Sequence, residues 1–214
     1  MSVWNIDNVE NDLNKSFENN SEVELLSVLK NNSFLFYELY SRKYGIQPNF
    51  MEISFGGKYR CDFAWLNDNS DGPEWVLVEI EKPRMKLFTK KREPSAELNH
   101  AIEQVKSWIR YFIENPSEKS RIFGAVSRFR YILVAGDIEE WETENAVKWR
   151  AYHNSNNPIE IRSSNVFKNA IKIAREKPDE LWSFEENPKS LNPSGLEKFW
   201  TDYEYMDRWR KMLK

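Results

Sequence analysis

The residues best suited to chemistry are two glutamates, Glu79 and Glu81, at the end of the apolar run 75–80. Because side chains alternate along a strand, both glutamates point to one face, while the intervening apolar residues point to the other. Two like charges at the end of a buried strand resist joint ionisation. A bound divalent cation removes that cost, so the pair predicts a metal site with oxygen ligands.

A third carboxylate, Asp62, lies on an earlier segment, residues 60–66, that also reads as a strand. Its alternation predicts that Cys61, Phe63 and Trp65 share one face and that Asp62 lies on the other.

A polar segment, residues 67–74, joins these two predicted strands and is typical of a hairpin loop. Pairing the strands could bring Asp62 close to Glu79 and Glu81. Three carboxylates with no histidine or cysteine among them favour Mg²⁺ or Mn²⁺ over zinc.

Residues 95–114 have the periodicity of an amphipathic helix. Its apolar stripe consists of Leu98, Ala101, Ile102, Val105, Ile109 and Phe112. Gln104 and Trp108 are one turn apart on the margin of that stripe. If this helix lies on the sheet, it can place Gln104 at the edge of the carboxylate cluster.

The ordered set of Asp62, Glu79-Ile80-Glu81-Lys82 and Gln104-x-x-x-Trp108 resembles the active site of the PD-(D/E)XK nuclease superfamily. Its wider context resembles the Shedu family of bacterial anti-phage nucleases. The segments that carry this second resemblance are 55–63, 77–83, 101–105, 130–137 and 157–161. The resemblance as a whole covers about residues 25–173.

The resemblance implies a restriction-endonuclease-like α/β fold, with a mixed β-sheet core flanked by helices. It implies that Asp62 and Glu79 ligate the metal and that Gln104 orients the site or a substrate phosphate. The superfamily has lysine where this chain has Glu81, although some members carry glutamate there and still cleave DNA. Lys82 is adjacent, but a regular strand aims it at the other face unless a bulge re-aims it.

The sequence-based hypothesis is a metal-dependent DNA endonuclease or nickase in bacterial phage defence. Its predicted catalytic residues are Asp62, Glu79, Glu81, Lys82 and Gln104. The first three of these would hold Mg²⁺ or Mn²⁺. The alternative is a catalytically inactive nuclease-fold module that binds nucleic acid or a protein partner. A third possibility is a structural subunit that assembles through its C-terminal helix.

A basic stretch follows the acids and is the predicted contact with double-stranded DNA. Its members are Arg84, Lys86, Lys90, Lys91 and Arg92. Contacts with the phosphate backbone supply much of non-specific DNA affinity. A charge run of this kind is also common in solvated loops. The formal net charge of -3 means that DNA binding must rely on such a local patch.

Four further residues have two readings each. Glu38, on a predicted helix over residues 33–44, is a candidate additional metal ligand. Glu52 is another candidate acid, although a solvent-facing role is favoured. Trp65 and Trp108 could stack on bases, but core packing is the safer expectation for Trp65.

The chain length predicts a single domain, which the resemblance implies is nuclease-like over residues 21–178, preceded by a loose polar lead-in, residues 1–20. Residues 179–214 are predicted to form a C-terminal amphipathic helical extension. Its aromatic face consists of Phe199, Trp200, Tyr203, Met206, Trp209 and Met212. This face either packs back on the domain or joins a second copy of the chain.

The chain has 214 residues and one cysteine, which suits a reducing compartment. No stretch resembles a signal peptide or a membrane span. We therefore expect a cytoplasmic protein without membrane contact.

Overall fold

The computed structural model describes residues 3–213 as a five-stranded mixed β-sheet with helices on both faces. The strands are β1 (Asn49–Phe55), β2 (Tyr59–Asn69), β3 (Gly72–Ile80), β4 (Arg128–Val134) and β5 (Ile159–Arg162). The α-helices are α1 (Ile6–Glu18), α2 (Glu22–Asn31), α3 (Ala96–Glu114), α4 (Pro116–Phe123), α5 (Ile138–Trp141), α6 (Glu144–Asn156), α7 (Asn165–Glu176), α8 (Trp182–Glu185), α9 (Leu196–Asp202) and α10 (Glu204–Met212). This confirms the expected α/β class.

The sheet order follows the chain, from β1 to β5. The pairs β1–β2 and β2–β3 are antiparallel, whereas β3–β4 and β4–β5 are parallel. Parallel neighbours need a crossover, and helices supply it here: α3 and α4 before β4, then α5 and α6 before β5. Within the described residues, every helix is too short or too polar to cross a membrane.

Two helical layers cover the sheet. The α3 layer contributes α3, α4, α6, α9 and α10 to a core that includes Trp75 and Leu77 of β3. The α7 layer contributes α1, α2, α7 and α8 to a second core that includes Val76 and Val78. β3 is therefore buried on both faces, which explains its nearly continuous apolar run.

The connection between β2 and β3 is shorter than predicted. Both strands extend into the polar segment 67–74, and only Ser70 and Asp71 form the turn. The ladder continues to the Asn69–Gly72 pair. Cross-strand pairing outweighs the polar composition here because Asn67 donates a 2.8 Å hydrogen bond to Glu74 within the buried sheet.

The edge hairpin of β1 and β2 is interrupted at one position. Met51 pairs with Phe63 and Ile53 pairs with Cys61, but the intervening Glu52 is not paired in the ladder. Glu52 has φ +55°, a left-handed conformation that breaks strand alternation. Alternation also breaks on β2 at Asp62, opposite Glu52, so the predicted shared face of Cys61, Phe63 and Trp65 is wrong: Cys61 joins the α3-layer core, whereas the other two join the α7-layer core.

The N-terminal segment is a helix rather than the expected loose lead-in. Asn5 caps α1, and its side chain accepts a hydrogen bond from the backbone N–H of Asn8. Val9, Leu13 and Phe17, spaced four residues apart, are buried in the α7-layer core. Most polar residues between them face solvent, although Ser16 is buried and donates to the carbonyl of Leu13, so the segment is amphipathic despite its polar composition.

The predicted helix over residues 33–44 reduces to a short 3₁₀ turn, Ser33–Phe36. Five consecutive residues, 33–37, are buried there. An α-helix at the surface buries one face only, so this fully buried run is better accommodated by a tight turn and irregular backbone.

The C-terminal extension packs back onto the domain, as one of its two readings expects. It is not one helix, because α9 and α10 are separated at Tyr203. Met206 is fully buried, the Trp200 indole N–H donates to the carbonyl of Ile122 at 3.1 Å, and the Tyr205 hydroxyl donates to the carbonyl of Asn69 at 2.6 Å. Most of the aromatic face is thus used inside the chain.

Candidate functional site

The site lies where the β2–β3 ladder ends. The last ladder pair at this end joins Phe63 to Val78, and the next residues of the two strands are Asp62 and Glu79. Asp62 Oδ2 accepts the backbone N–H of Ile80 at 2.8 Å. A carboxylate thus takes a strand N–H at the point where regular pairing stops.

Glu79 is the most buried acid of the group, with 7% of its surface exposed. Its Oε1 accepts a hydrogen bond from Gln104 Nε2, which α3 delivers from the side of the sheet that Glu79 faces. Its Oε2 is buried and has no hydrogen-bond partner among the described residues. An unpaired buried carboxylate oxygen is costly and marks a position that suits a ligand.

Glu81 and Lys82 follow the end of β3. The backbone N–H of Glu81 donates to Val134 O at 2.9 Å, which continues the parallel pairing by one step, and its side chain is half-buried. Lys82 is exposed and does not line the cleft that holds the acids. The bulge that would have re-aimed Lys82 is therefore not supported.

The acids open into a polar cleft of about 760 Å³. The cleft is lined by Glu22, Leu26, Ser54, Gly57, Lys58, Tyr59, Arg60, Asp62, Glu79, Glu81, His100 and Gln104. Four of the five predicted catalytic residues are among them, and Lys82 is the exception. Sequence reasoning missed Glu22, Lys58 and Arg60. The position of Arg60 could have been predicted, because it lies two residues before Asp62 on the same strand and side chains at that spacing share a face.

Burial and mutual repulsion favour the protonated forms of the three acids. Desolvation raises the pKa of Asp62 to about 6, opposed by its hydrogen bond from Ile80. Desolvation, with the charges of Glu22 and Asp62, raises the pKa of Glu81 to about 7. Desolvation, with the charges of Asp62 and Glu81, raises the pKa of Glu79 to about 10. A bound cation would therefore stabilise the ionised forms of these three acids.

The donor set suits a hard divalent cation. Within residues 3–213, no three histidine, cysteine or acidic side chains are arranged closely enough to enclose a metal ion by themselves. Mg²⁺ does not require this, because it keeps several waters and binds through one or two carboxylates plus substrate phosphates. The free Oε2 of Glu79 and the carboxylate of Asp62 are donors of that type.

The other candidate residues lie outside the cleft. Glu38 accepts from Asn169 and forms an ion pair with Arg162, so it does not act as the additional acid. The further acid that lines the cleft is Glu22, at the start of α2. Trp108, predicted on the helix margin, is 1% exposed, which leaves no ring face for a base.

Core packing is also the outcome for Trp65, which is fully buried. Glu52 lies on β1, in the β1–β2 hairpin beside the cleft. It forms ion pairs with Lys30 and Arg60 instead of facing only solvent.

The predicted DNA-contact residues all lie on the segment between β3 and α3, directly after the acids. Arg84, Lys86, Lys90, Lys91 and Arg92 are all exposed. None of them forms a salt bridge with another described residue. Their positive charges are therefore available to a binding partner of opposite charge.

The protein is a mixed α/β protein, and its candidate site is a carboxylate-lined cleft at the end of the central strands. The family model described as Shedu protein SduA, C-terminal, matches residues 9–165, which is most of the chain. The chain therefore belongs to this family, and membership suggests a role in anti-phage defence. A search of curated proteins gives no match.

Proposed function

We propose that this protein is a metal-dependent DNA endonuclease or nickase of the PD-(D/E)XK type, with a restriction-endonuclease-like fold, that acts in anti-phage defence. The observation that carries the proposal is the convergence of Asp62, Glu79, Glu81 and Gln104 on one cleft. Family membership supports the defence role. The substrate is a phosphodiester bond of double-stranded DNA.

In this proposal Asp62 and Glu79 hold Mg²⁺ or Mn²⁺ together with water and substrate phosphate oxygens, and Glu81 lies beside them in the cleft as a further acid. The metal, when bound, makes a water more acidic, orients it and neutralises charge on the phosphate. Gln104 fixes Glu79 by donating to its Oε1, which leaves Oε2 directed to the ligand. The Ile80 N–H fixes Asp62 in the same way. Such supporting hydrogen bonds hold metal ligands in a productive orientation.

The DNA backbone would run from the cleft along the basic stretch that follows β3. The acids that line the cleft offer phosphate no attraction of their own in the absence of a cation. The exposed cations at positions 84–92 supply attraction close by. Binding through backbone phosphates should be strongly salt-dependent and weakly dependent on sequence.

The second candidate is an inactive nuclease-fold module that binds nucleic acid or a protein partner. Two observations favour it. Glu81 stands where the superfamily has lysine, and Lys82 lies outside the cleft. This candidate predicts DNA binding without metal and no cleavage with any divalent ion.

Cleavage of supercoiled plasmid separates the two candidates. In Mg²⁺ or Mn²⁺ the wild type is expected to nick or linearise the plasmid. Glu79→Ala is expected to lower the rate by more than about 100-fold, since even supporting partners of metal ligands contribute about 10–100-fold. Glu197→Ala, which removes an exposed acid on α9, is the matched control and should cleave as the wild type does.

Equal cleavage by the wild type and Glu79→Ala would mean that a contaminating nuclease produced the product. No cleavage by the wild type, together with metal-independent retention of the plasmid fragment in a gel-shift assay, would favour the binding module.

A further inference from the structure

A cleft that hydrolyses phosphodiesters needs a positive side chain as well as metal ligands, because negative charge accumulates on the phosphate during attack. This cleft carries four acids, Glu22, Asp62, Glu79 and Glu81. Lys82 is outside it. Apart from the His100 imidazole, the basic side chains among the described lining residues are Lys58 and Arg60, both from the β1–β2 hairpin.

Arg60 is the better placed of these two. It lies two residues before Asp62 on β2, and both side chains line the cleft. Its charge favours ionisation of both Asp62 and Glu79, so its field reaches the two central acids. Lys58 lies in the turn after Gly57, and no described residue forms an ion pair with it.

A chain of ion pairs holds Arg60 at the cleft. Arg60 Nη1 lies 3.7 Å from Glu52 Oε1, and the same oxygen lies 3.1 Å from Lys30 Nζ of α2. Glu52 adopts its left-handed backbone here, a conformation that is uncommon for a non-glycine residue. At this irregular position of β1, the Glu52 carboxylate lies between the side chains of Lys30 and Arg60.

We propose that Arg60 binds the scissile phosphate and supplies the positive charge that the lysine of related nucleases would supply from the position of Glu81. Glu52 and Lys30 act as positioning residues. The proposal rests on the phosphodiesterase function proposed above. A guanidinium suits the role because its planar fork donates two parallel hydrogen bonds to phosphate oxygens.

The test uses plasmid cleavage and Mn²⁺ affinity for four variants of the full chain. Arg60→Ala is expected to slow cleavage about 100-fold or more, as removal of one transition-state donor does. Its Mn²⁺ affinity should stay equal or rise, because a nearby positive charge is gone. Arg60→Lys should recover part of the rate. Glu197→Ala and Lys198→Ala, which change exposed residues of α9, should remain within about threefold of the wild type.

Glu52→Gln tests the positioning role. It is expected to slow cleavage about 5–10-fold in the wild type and to have no further effect in the Arg60→Ala background. Such non-additivity is expected when one residue acts through another. Equal losses in both backgrounds would show that Glu52 acts independently of Arg60.

Cleavage by Arg60→Ala at the wild-type rate, alongside loss in Glu79→Ala, would overturn the role of Arg60 and leave the nuclease function intact. If the wild type does not cleave, the nuclease function fails. The phosphate contact is then decided by affinity for a short DNA duplex in Ca²⁺. A weakening of about tenfold or more in Arg60→Ala, but not in Lys198→Ala, supports the contact. Unchanged affinity overturns it.

Discussion

Glu79→Gln is expected to raise the free energy of unfolding of the metal-free protein by about 2 kcal/mol at pH 8. Glu79 is buried, its Oε2 has no partner, and its pKa is raised to about 10 by desolvation and by Asp62 and Glu81. A glutamine keeps the acceptor for Gln104 and is neutral without taking up a proton, so folding no longer depends on protonation of this side chain. Urea unfolding at pH 5 and pH 8, with a chelator present, measures the effect.

The pH dependence of this gain has a definite sign. The folded protein binds the Glu79 proton more tightly than the unfolded chain does. Wild-type stability therefore falls as pH rises from the unfolded value near 4.5 towards the folded value near 10. The advantage of Glu79→Gln should thus grow from pH 5 to pH 8. An advantage that is absent, or equal at both pH values, would contradict this account of the site.

Divalent metal provides the complementary measurement. Millimolar Mg²⁺ or Mn²⁺ should stabilise the wild type, because a ligand that binds only the folded state shifts unfolding by mass action. Glu79→Gln should gain less. Glu197→Gln, on the exposed surface of α9, should behave as the wild type does in every condition.

Met206→Ala is expected to lower the free energy of unfolding by about 2–5 kcal/mol. Met206 is fully buried between α10 and the sheet, in the same core as Trp75 and Leu196. Truncation leaves a cavity that the surrounding aromatic rings cannot easily fill. Chemical denaturation reports the loss, and sedimentation velocity should show the same assembly state for the folded variant and the wild type.

Met212→Ala is the matched control for this prediction. Met212 lies on the same helix but is 59% exposed, so its truncation should change stability by no more than about 0.5 kcal/mol. If Met206→Ala instead altered the assembly state with little loss of stability, the C-terminal helices would be an interface between copies, as the alternative reading of their aromatic face holds.

The elements around the site were predictable because their side chains obey simple periodicity. Residues 95–114 match α3 to within one residue, since Ser95 is its N-cap and its apolar stripe faces the sheet. The run 75–80 lies within β3. These local patterns place Gln104 and Glu79 on facing elements, and the hydrogen bond between them follows from packing α3 on that face.

The parts that sequence could not supply depend on contacts between distant segments. Glu22 reaches the cleft only because α2 packs beside the hairpin, and its local pattern indicates nothing beyond a helix start. The left-handed backbone of Glu52 has no signature, since glutamate rarely adopts it. Cys61, which pairs with the residue after Glu52, faces the α3-layer core instead of sharing a face with Phe63, and Glu52 forms the ion pair with Arg60.

The most direct test of the central claim is to locate the metal. Crystals of the wild type soaked in Mn²⁺ should show an anomalous-scattering peak within coordination distance of the Asp62 and Glu79 carboxylates. Crystals of Glu79→Ala treated in the same way should lack it. A peak confined to another part of the molecule, or an equal peak in both proteins, would contradict the assignment of this cleft as the metal-dependent site.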